Sequence, residues 1–288
     1  MIPMSKLKKD VQLNVDLTQM VDVLKGIAAG RFSVLQKQLV LFEKYIQVAG
    51  DILSIVDLGK VSHPFARPRS DVTGVILVTS DAGFLGGLNA RVVQLGLRQA
   101  GEVGPVIVIG EKGLNYLRGS GRNITAFPGI DDNQRLALAF AVRDHAIKQI
   151  FAGAFGRLAI VYPRPVSYSV QEVTVETFLP CTVWLPPTEP SRRGMSVIWE
   201  SRPDDVLEYV VYQWIGCRLD EIFAMSRVAE LAARVVHLES SYQELLRQGK
   251  QLKLQYFRAQ HEVIDRSMRE IYAAQLLSKK LDDHDYDE

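Results

Sequence analysis

Proline is absent from two long stretches of this 288-residue chain. Inside a helix, proline removes a backbone hydrogen bond and collides with the preceding turn, so a helix of many turns needs a proline-free stretch. Of the 12 prolines, Pro3 stands alone and the other eleven lie between Pro64 and Pro203. Residues 4–63 and 204–288 contain none. Glycine is distributed the same way, with 15 of 21 between Gly74 and Gly194. This pattern excludes one domain of uniformly alternating elements. It predicts long helices at both ends and a turn-rich unit between them.

The ends carry helical periodicity. Leu17, Val21, Leu24, Ala28, Phe32, Leu35, Leu39, Phe42, Ile46, Ala49, Leu53 and Val56 recur every three or four residues, with one extra residue at Phe32. That is a heptad seam with a local disturbance of winding. A 40-residue helix is about 60 Å long, so much of it is expected to project. In the last segment Val228, Leu231, Val235, Leu238, Tyr242, Leu245, Gly249, Leu252, Tyr256, Ala259 and Val263 alternate gaps of three and four throughout. Pro203-Asp204-Asp205 marks the start of this helix, with carboxylates at the positive end of its dipole. Running to about Leu277, it would reach about 110 Å. Each stripe needs cover, since a buried Leu or Val contributes about 1.5–3 kcal/mol. The simplest arrangement pairs the two ends as an antiparallel coiled coil. Two amphipathic helices folded separately onto the middle unit are the alternative.

Between them the pattern changes to that of an α/β unit. Gly74–Thr79, Val106–Gly110 and Leu158–Tyr162 are short apolar runs of the kind buried in parallel sheets. Helical stretches over 89–100, 111–118 and 133–151 separate them, the last with Leu136, Phe140 and Ile147 on one face. This alternation predicts a parallel sheet covered on both sides. Val170–Phe178 reads as an edge strand, and Pro180–Pro203 as irregular. The expected organisation is an N-terminal helix over 1–60, a globular domain over 70–200 and a C-terminal helix over 204–280.

Composition removes several functions. A net charge of +1 argues against nucleic acid as a partner, and no apolar run is long enough to span a membrane. The start, MIPMSKLKKD, lacks the apolar core of a secretory signal. Cys181 and Cys217 form neither a disulfide framework nor a metal pattern and are expected as reduced thiols. His63, His145, His237, His261 and His284 lack metal-ligand spacing, and no GxSxG nucleophile elbow exists. Asp282–Glu288, with five acids, is expected to fray. No catalytic set, metal site or cofactor site emerges.

One loop stands out. Ser80-Asp81-Ala82-Gly83-Phe84-Leu85-Gly86-Gly87-Leu88-Asn89 follows a strand and precedes a helix, where α/β proteins place ligand loops. Its glycines have neither GxGxxG nor phosphate-loop spacing. Two readings stay open. In one, Ser80, Asp81, Gly83, Gly86, Gly87 and Asn89 build a tight structural turn with Asn89 capping the helix. In the other, the loop binds a nucleotide or phosphorylated substrate of an α/β enzyme.

With these residues in view, the chain resembles the γ subunit of F-type ATP synthases. SDAGFLGGLN is similar to the family's SDRGLCGGLN. LTQMVDVLKGIAAGRF resembles its TQKITKAM-MVAA pattern, and Ile109-Gly110-Glu111-Lys112-Gly113 its IG-KG. Ala232–Val236 is similar to AARM-AM, and Tyr256–Ile271 to YN-ARQA-IT-EL-EI. The resemblance implies a non-catalytic rotor shaft. The antiparallel coiled coil would sit inside a ring of α and β subunits, and a Rossmann-like globular foot would meet the ε subunit and the membrane c-ring. It also implies a peripheral position on the cytoplasmic face of the membrane, the inner membrane if the source is bacterial. It places ring contacts of the shaft tip at Lys25, Ile27, Ala28, Gln260, His261 and Asp265. The chain departs from the family at Ala82, Leu85, Gln260-His261, Asp265 and Ser267. Lys25 within LKGIAAG resembles the divergent alternate branch, some members of which are linked to sodium transport.

Overall fold

The computed structural model describes residues 3–38, 61–184 and 200–284. The expected seam positions from Leu39 to Val56, most of the Pro180–Pro203 interval and the last four residues of the acidic tail lie outside them. The chain divides into two compact units, Ile27–His237 and Met1–Gly26 with Leu238–Glu288. The long end helices, α1 (Met4–Gln38) and α5 (Pro203–His284), contribute residues to both.

The first of these units is built on a five-stranded sheet ordered β3-β2-β1-β4-β5. The strands are β1 (Thr73–Val78), β2 (Val106–Ile109), β3 (Ile124–Phe127), β4 (Arg157–Pro165) and β5 (Gln171–Leu179). The first four run parallel, joined by helices α2 (Leu88–Ala100), α3 (Glu111–Leu117) and α4 (Arg135–Phe151). β5 closes one edge, antiparallel to β4.

The continuous apolar runs follow from burial on both faces. Successive strand side chains point to opposite faces. Val75, Leu77, Val106, Val108 and Val161 meet Val92, Val93 and Ala100 of α2 and Leu117 of α3. Ile76, Val78, Ile107, Ile109, Leu158 and Ile160 meet Ala139, Val142, Ala146 and Ile150 of α4. The same face is covered by Leu207, Val211, Ile215, Leu219, Ile222 and Phe223, within about the first six turns of α5. On α4, Leu136 is exposed; the burial stripe runs through Leu138, Ala139, Val142, Ala146 and Ile150 instead. The sequence pattern does not predict β3, because four edge residues, three half-covered and one exposed, make no apolar run.

Charged side chains join α5 to the sheet and to α4. Arg218 grips Glu176 of β5 with two bonds of 2.7 Å, and also pairs with Glu221. The Tyr162 hydroxyl donates to the same Glu176 at 3.0 Å. Burial, aided by the nearby carboxylate, holds that phenol well above the usual tyrosine range. Arg135 meets the buried Asp220 at 2.7 Å. Arg143 lies between the rings of Phe140 and Tyr212, at 4.4 and 3.7 Å. Cys181 is buried, and burial pushes its thiol up to about 12.

The other unit is a two-helix pair. Asn14 meets Leu245, while Lys25 meets Glu239. A later residue of α1 thus faces an earlier residue of α5, so the helices run antiparallel. On α5 the covered positions are Leu238, Tyr242, Leu245, Gly249, Leu252, Tyr256 and Ala259, the seam read from the sequence; Val263 is exposed. On α1 the seam differs from the expected one. It passes through Leu7, Val11, Asn14, Thr18, Val21 and Lys25, and within Ile27–His237 the same spacing continues through Ala28, Phe32 and Leu35. Leu17 is exposed, and the extra residue at Phe32 disappears. The register is strict because three polar residues occupy positions that an apolar count passes over.

Glu176→Ala should destabilise the fold by about 2–3 kcal/mol in denaturant unfolding, because it leaves Arg218 largely buried without its bidentate partner. Glu176→Gln, which keeps a carbonyl acceptor for Arg218 and for the Tyr162 hydroxyl, should lose less.

Candidate functional site

The glycine loop leaves the end of β1 and is held at every turn. Thr79 Oγ1 donates to the Ile109 carbonyl at 2.5 Å and accepts the Gly113 N–H at 3.0 Å. The Ser80 N–H donates to Asn89 Oδ1 at 3.2 Å, and Asn89 Nδ2 donates to Ser80 Oγ at 2.9 Å. Ser80 Oγ in turn donates to the Ala82 carbonyl at 2.8 Å. Asp81 Oδ1 accepts the Glu111 N–H at 2.8 Å, so the carboxylate sits at the positive end of α3. Gly86 and Gly87 turn the chain with φ of 55° and 85°, in the region that favours glycine. Asn89 does not cap α2 as expected. Gly87 occupies the cap position without a side-chain bond, and Ser80 takes up both ends of the Asn89 carboxamide.

The loop also docks on α5. Leu85 and Leu88 pack on Ala233, and Arg234 Nε donates to the Gly83 carbonyl at 3.3 Å. Between loop and helix remains a cavity of about 10 Å³, lined in part by Ser80, Asn89, Ser226 and Glu230. Small-molecule sites enclose roughly 300–1,000 Å³. Among the described residues the one carboxylate there, Glu230, is committed to Arg227 at 2.8 Å and Arg234 at 2.6 Å. This geometry favours the structural reading of Ser80, Asp81, Gly83, Gly86, Gly87 and Asn89 and gives a nucleotide no room.

The residues expected at the shaft tip fall into separate settings. Lys25 is a bridge within the chain: its ammonium lies 3.0 Å from Asp22, 3.0 Å from Glu239 and 4.4 Å from the Tyr242 ring centre. The bonds to Asp22 and Glu239 hold Lys25 above the usual lysine value. Bonds from Gln243 and Lys25 hold Glu239 below the usual glutamate value. Gln260 is half-buried, while His261 and Asp265 are exposed. Gln260 lies 18 residues beyond Tyr242, about 27 Å along the helix, so Lys25 does not join Gln260, His261 and Asp265 in one cluster. Neighbouring helix positions point about 100° apart, which separates Ile27, 52% exposed, from Ala28, 2% exposed. Ala28 is therefore a packing residue of the chain's own interior.

Sequence reasoning missed Asn14, a buried polar side chain in the α1 seam. The seven-residue spacing of Leu7, Asn14, Val21, Ala28 and Leu35 is the signal that could have found it.

The family model for ATP synthase matches residues 4–275. The chain is 26% identical over 286 residues to the ATP synthase gamma chain of Chlorobaculum parvum, covering 92% of this chain and 96% of that one. Its fold is similar to a chain in the rotor of the Euglena gracilis mitochondrial ATP synthase, with a TM-score of 0.68 over 91% of this chain and 98% of that chain at 14% identity. It is also similar to a chain in the central stalk and c-ring of the Tetrahymena thermophila enzyme, with a TM-score of 0.58 over 77% and 99% at 18% identity. The match runs from the first turn of α1 almost to the end of α5 and takes in the sheet and the glycine loop, so the chain belongs to the ATP synthase γ family.

Proposed function

We propose that this chain is the central shaft of an F-type ATP synthase, coupling ion-driven rotation to conformational change in catalytic β subunits. The observation that carries this reading is the antiparallel pairing of α1 with the C-terminal half of α5, which leaves large apolar side chains facing outward. On α1 these are Leu13, Leu17 and Met20; on α5 they are Leu246, Leu254 and Phe257, and past the covered seam Ile264, Met268 and Ile271 are exposed as well. Exposed apolar surface repeated along a helix pair is the mark of a surface that meets a partner. The α/β subunit ring is that partner. The ε subunit and the membrane c-ring meet the unit that holds the sheet.

The chain acts without chemistry of its own. Its two helices present different side chains around their circumference. Turning therefore brings different contacts to each β subunit and shifts its balance between open and closed states. Equal contact with both states would shift nothing. No helix is long and apolar enough to cross a membrane among the described residues. The chain belongs to a membrane-associated complex as a peripheral subunit; we place it on the cytoplasmic face. Ile27, Gln260, His261 and Asp265 are the ring-facing candidates, while Lys25 and Ala28 support the shaft from within.

Co-expression with cognate α and β subunits should yield an assembled complex whose ATPase activity requires this chain. A pure chain that never enters such a ring would overturn the reading. Ile27→Glu should leave the thermal stability of the isolated chain within about 0.5 kcal/mol and lower ATP-driven ion pumping in reconstituted vesicles. Ala28→Glu should instead cost about 3 kcal/mol of stability, because it buries a carboxylate with no partner.

A further inference from the structure

Apolar packing alone specifies the pairing of α1 and α5 poorly. The α5 seam from Leu238 to Ala259 repeats every three or four residues, and so does the α1 seam from Leu7 to Lys25. Sliding one helix by a heptad, about 10 Å, brings apolar positions back into apposition. Something else must distinguish the registers.

We propose that Asn14 and Gly249 form a register lock, in which a polar side chain of α1 fills the gap left by a missing side chain on α5. Asn14 is buried, and its Nδ2 donates to the Leu245 carbonyl at 3.2 Å. That carbonyl also accepts from the Gly249 N–H within the helix and uses its second lone pair for Asn14. The Asn14 Oδ1 lies where a side chain at 249 would begin, so any Cβ there would collide with it. Gly216 and Gly249 are the only glycines from 204 to 288, and Gly249 alone falls in the paired seam. A one-heptad slip would set Asn14 against Tyr242 or Tyr256. Its carboxamide would then face a ring, with its hydrogen bond lost in a buried setting.

A second pin acts independently. Lys25 spans to Glu239 and lies over Tyr242. The same slips would set it against Ala232 and Val235 or Leu246 and Gly249, none of which carries a carboxylate. Two polar contacts, 11 residues apart on α1, thus select one register. For a turning shaft this prevents axial slip; that consequence rests on the function proposed above. The lock is read on the isolated chain, so its failure is distinguishable from failure to join a ring.

The test is a thermal-unfolding cycle on the full chain. Gly249→Ala should lower Tm when Asn14 is present, because the new methyl expels the carboxamide from its bond. In the Asn14→Ala chain the same substitution should raise Tm, since alanine is the better helix former. An equal rise in both backgrounds overturns the lock. Register is read by electron–electron distance measurement between spin labels on non-natural side chains at the exposed Lys9 and Gln255. Wild type should give one distance. Asn14→Leu with Gly249→Leu and Lys25→Leu should add a second population, displaced by about 10 Å along the axis. A single unchanged distance in that triple variant means that packing alone sets the register, and overturns the proposal.

Discussion

The structure depends on covering the apolar surface of one very long helix. A stripe of Leu, Val and Ile cannot stay in water at about 25 cal/mol for each Å² of apolar surface. Within the unit that holds the sheet, α5 buries Leu207 to Phe223 against one sheet face. It then buries Val228, Leu231 and Ala232 under Phe32 and Leu35 of α1. Within the helix pair it needs to cover only a narrow seam, from Leu238 to Ala259. The width of the apolar stripe tracks this change. Residues 228–233 are all buried, whereas among the described residues from 242 to 274 none is more than half-buried. A helix set into a domain is apolar over much of its surface; one paired with a single partner is apolar along one line.

Polar groups then decide how these surfaces meet. The bonds of Arg218 to Glu176 and Arg135 to Asp220 set the N-terminal part of α5 against the sheet and α4. Asn14 and Lys25 do the corresponding work in the helix pair. The glycine loop fits the same logic. Its position after β1 is where doubly wound folds bind ligands. Here the loop's own bonds and Arg234 close the space. A ligand loop and a packing loop share a position in the fold, and they differ in whether their polar groups are left free.

Strong periodic signals were legible in the sequence. β1, β2 and β4 are apolar runs long enough to stand out, and the α5 seam from Val228 to Ala259 appears in the structure residue for residue. β3 stayed hidden because an edge strand covered on one side carries only Ile124, Thr125, Ala126 and Phe127. Hydrophobicity alone puts Leu17 in the α1 seam, where the folded pair uses Asn14, Thr18 and Lys25. The family pattern groups the proposed tip residues. Antiparallel pairing instead sets Lys25 beside Glu239, far along the helix from Gln260.

By itself the sequence determined the kinds of element and their order: two proline-free helical ends, an α/β unit between them, and apolar stripes that demand partners. Those properties are local, set by backbone restriction and side-chain period within a few turns. Only the tertiary structure decided which stripe positions are used, in what register, and which polar groups are consumed. Asn14 is 231 residues from Leu245, and its meaning beside Gly249 arises when the two helices come within hydrogen-bonding distance. Burial makes a polar contact selective, and burial is a property of the folded chain, not of the residue.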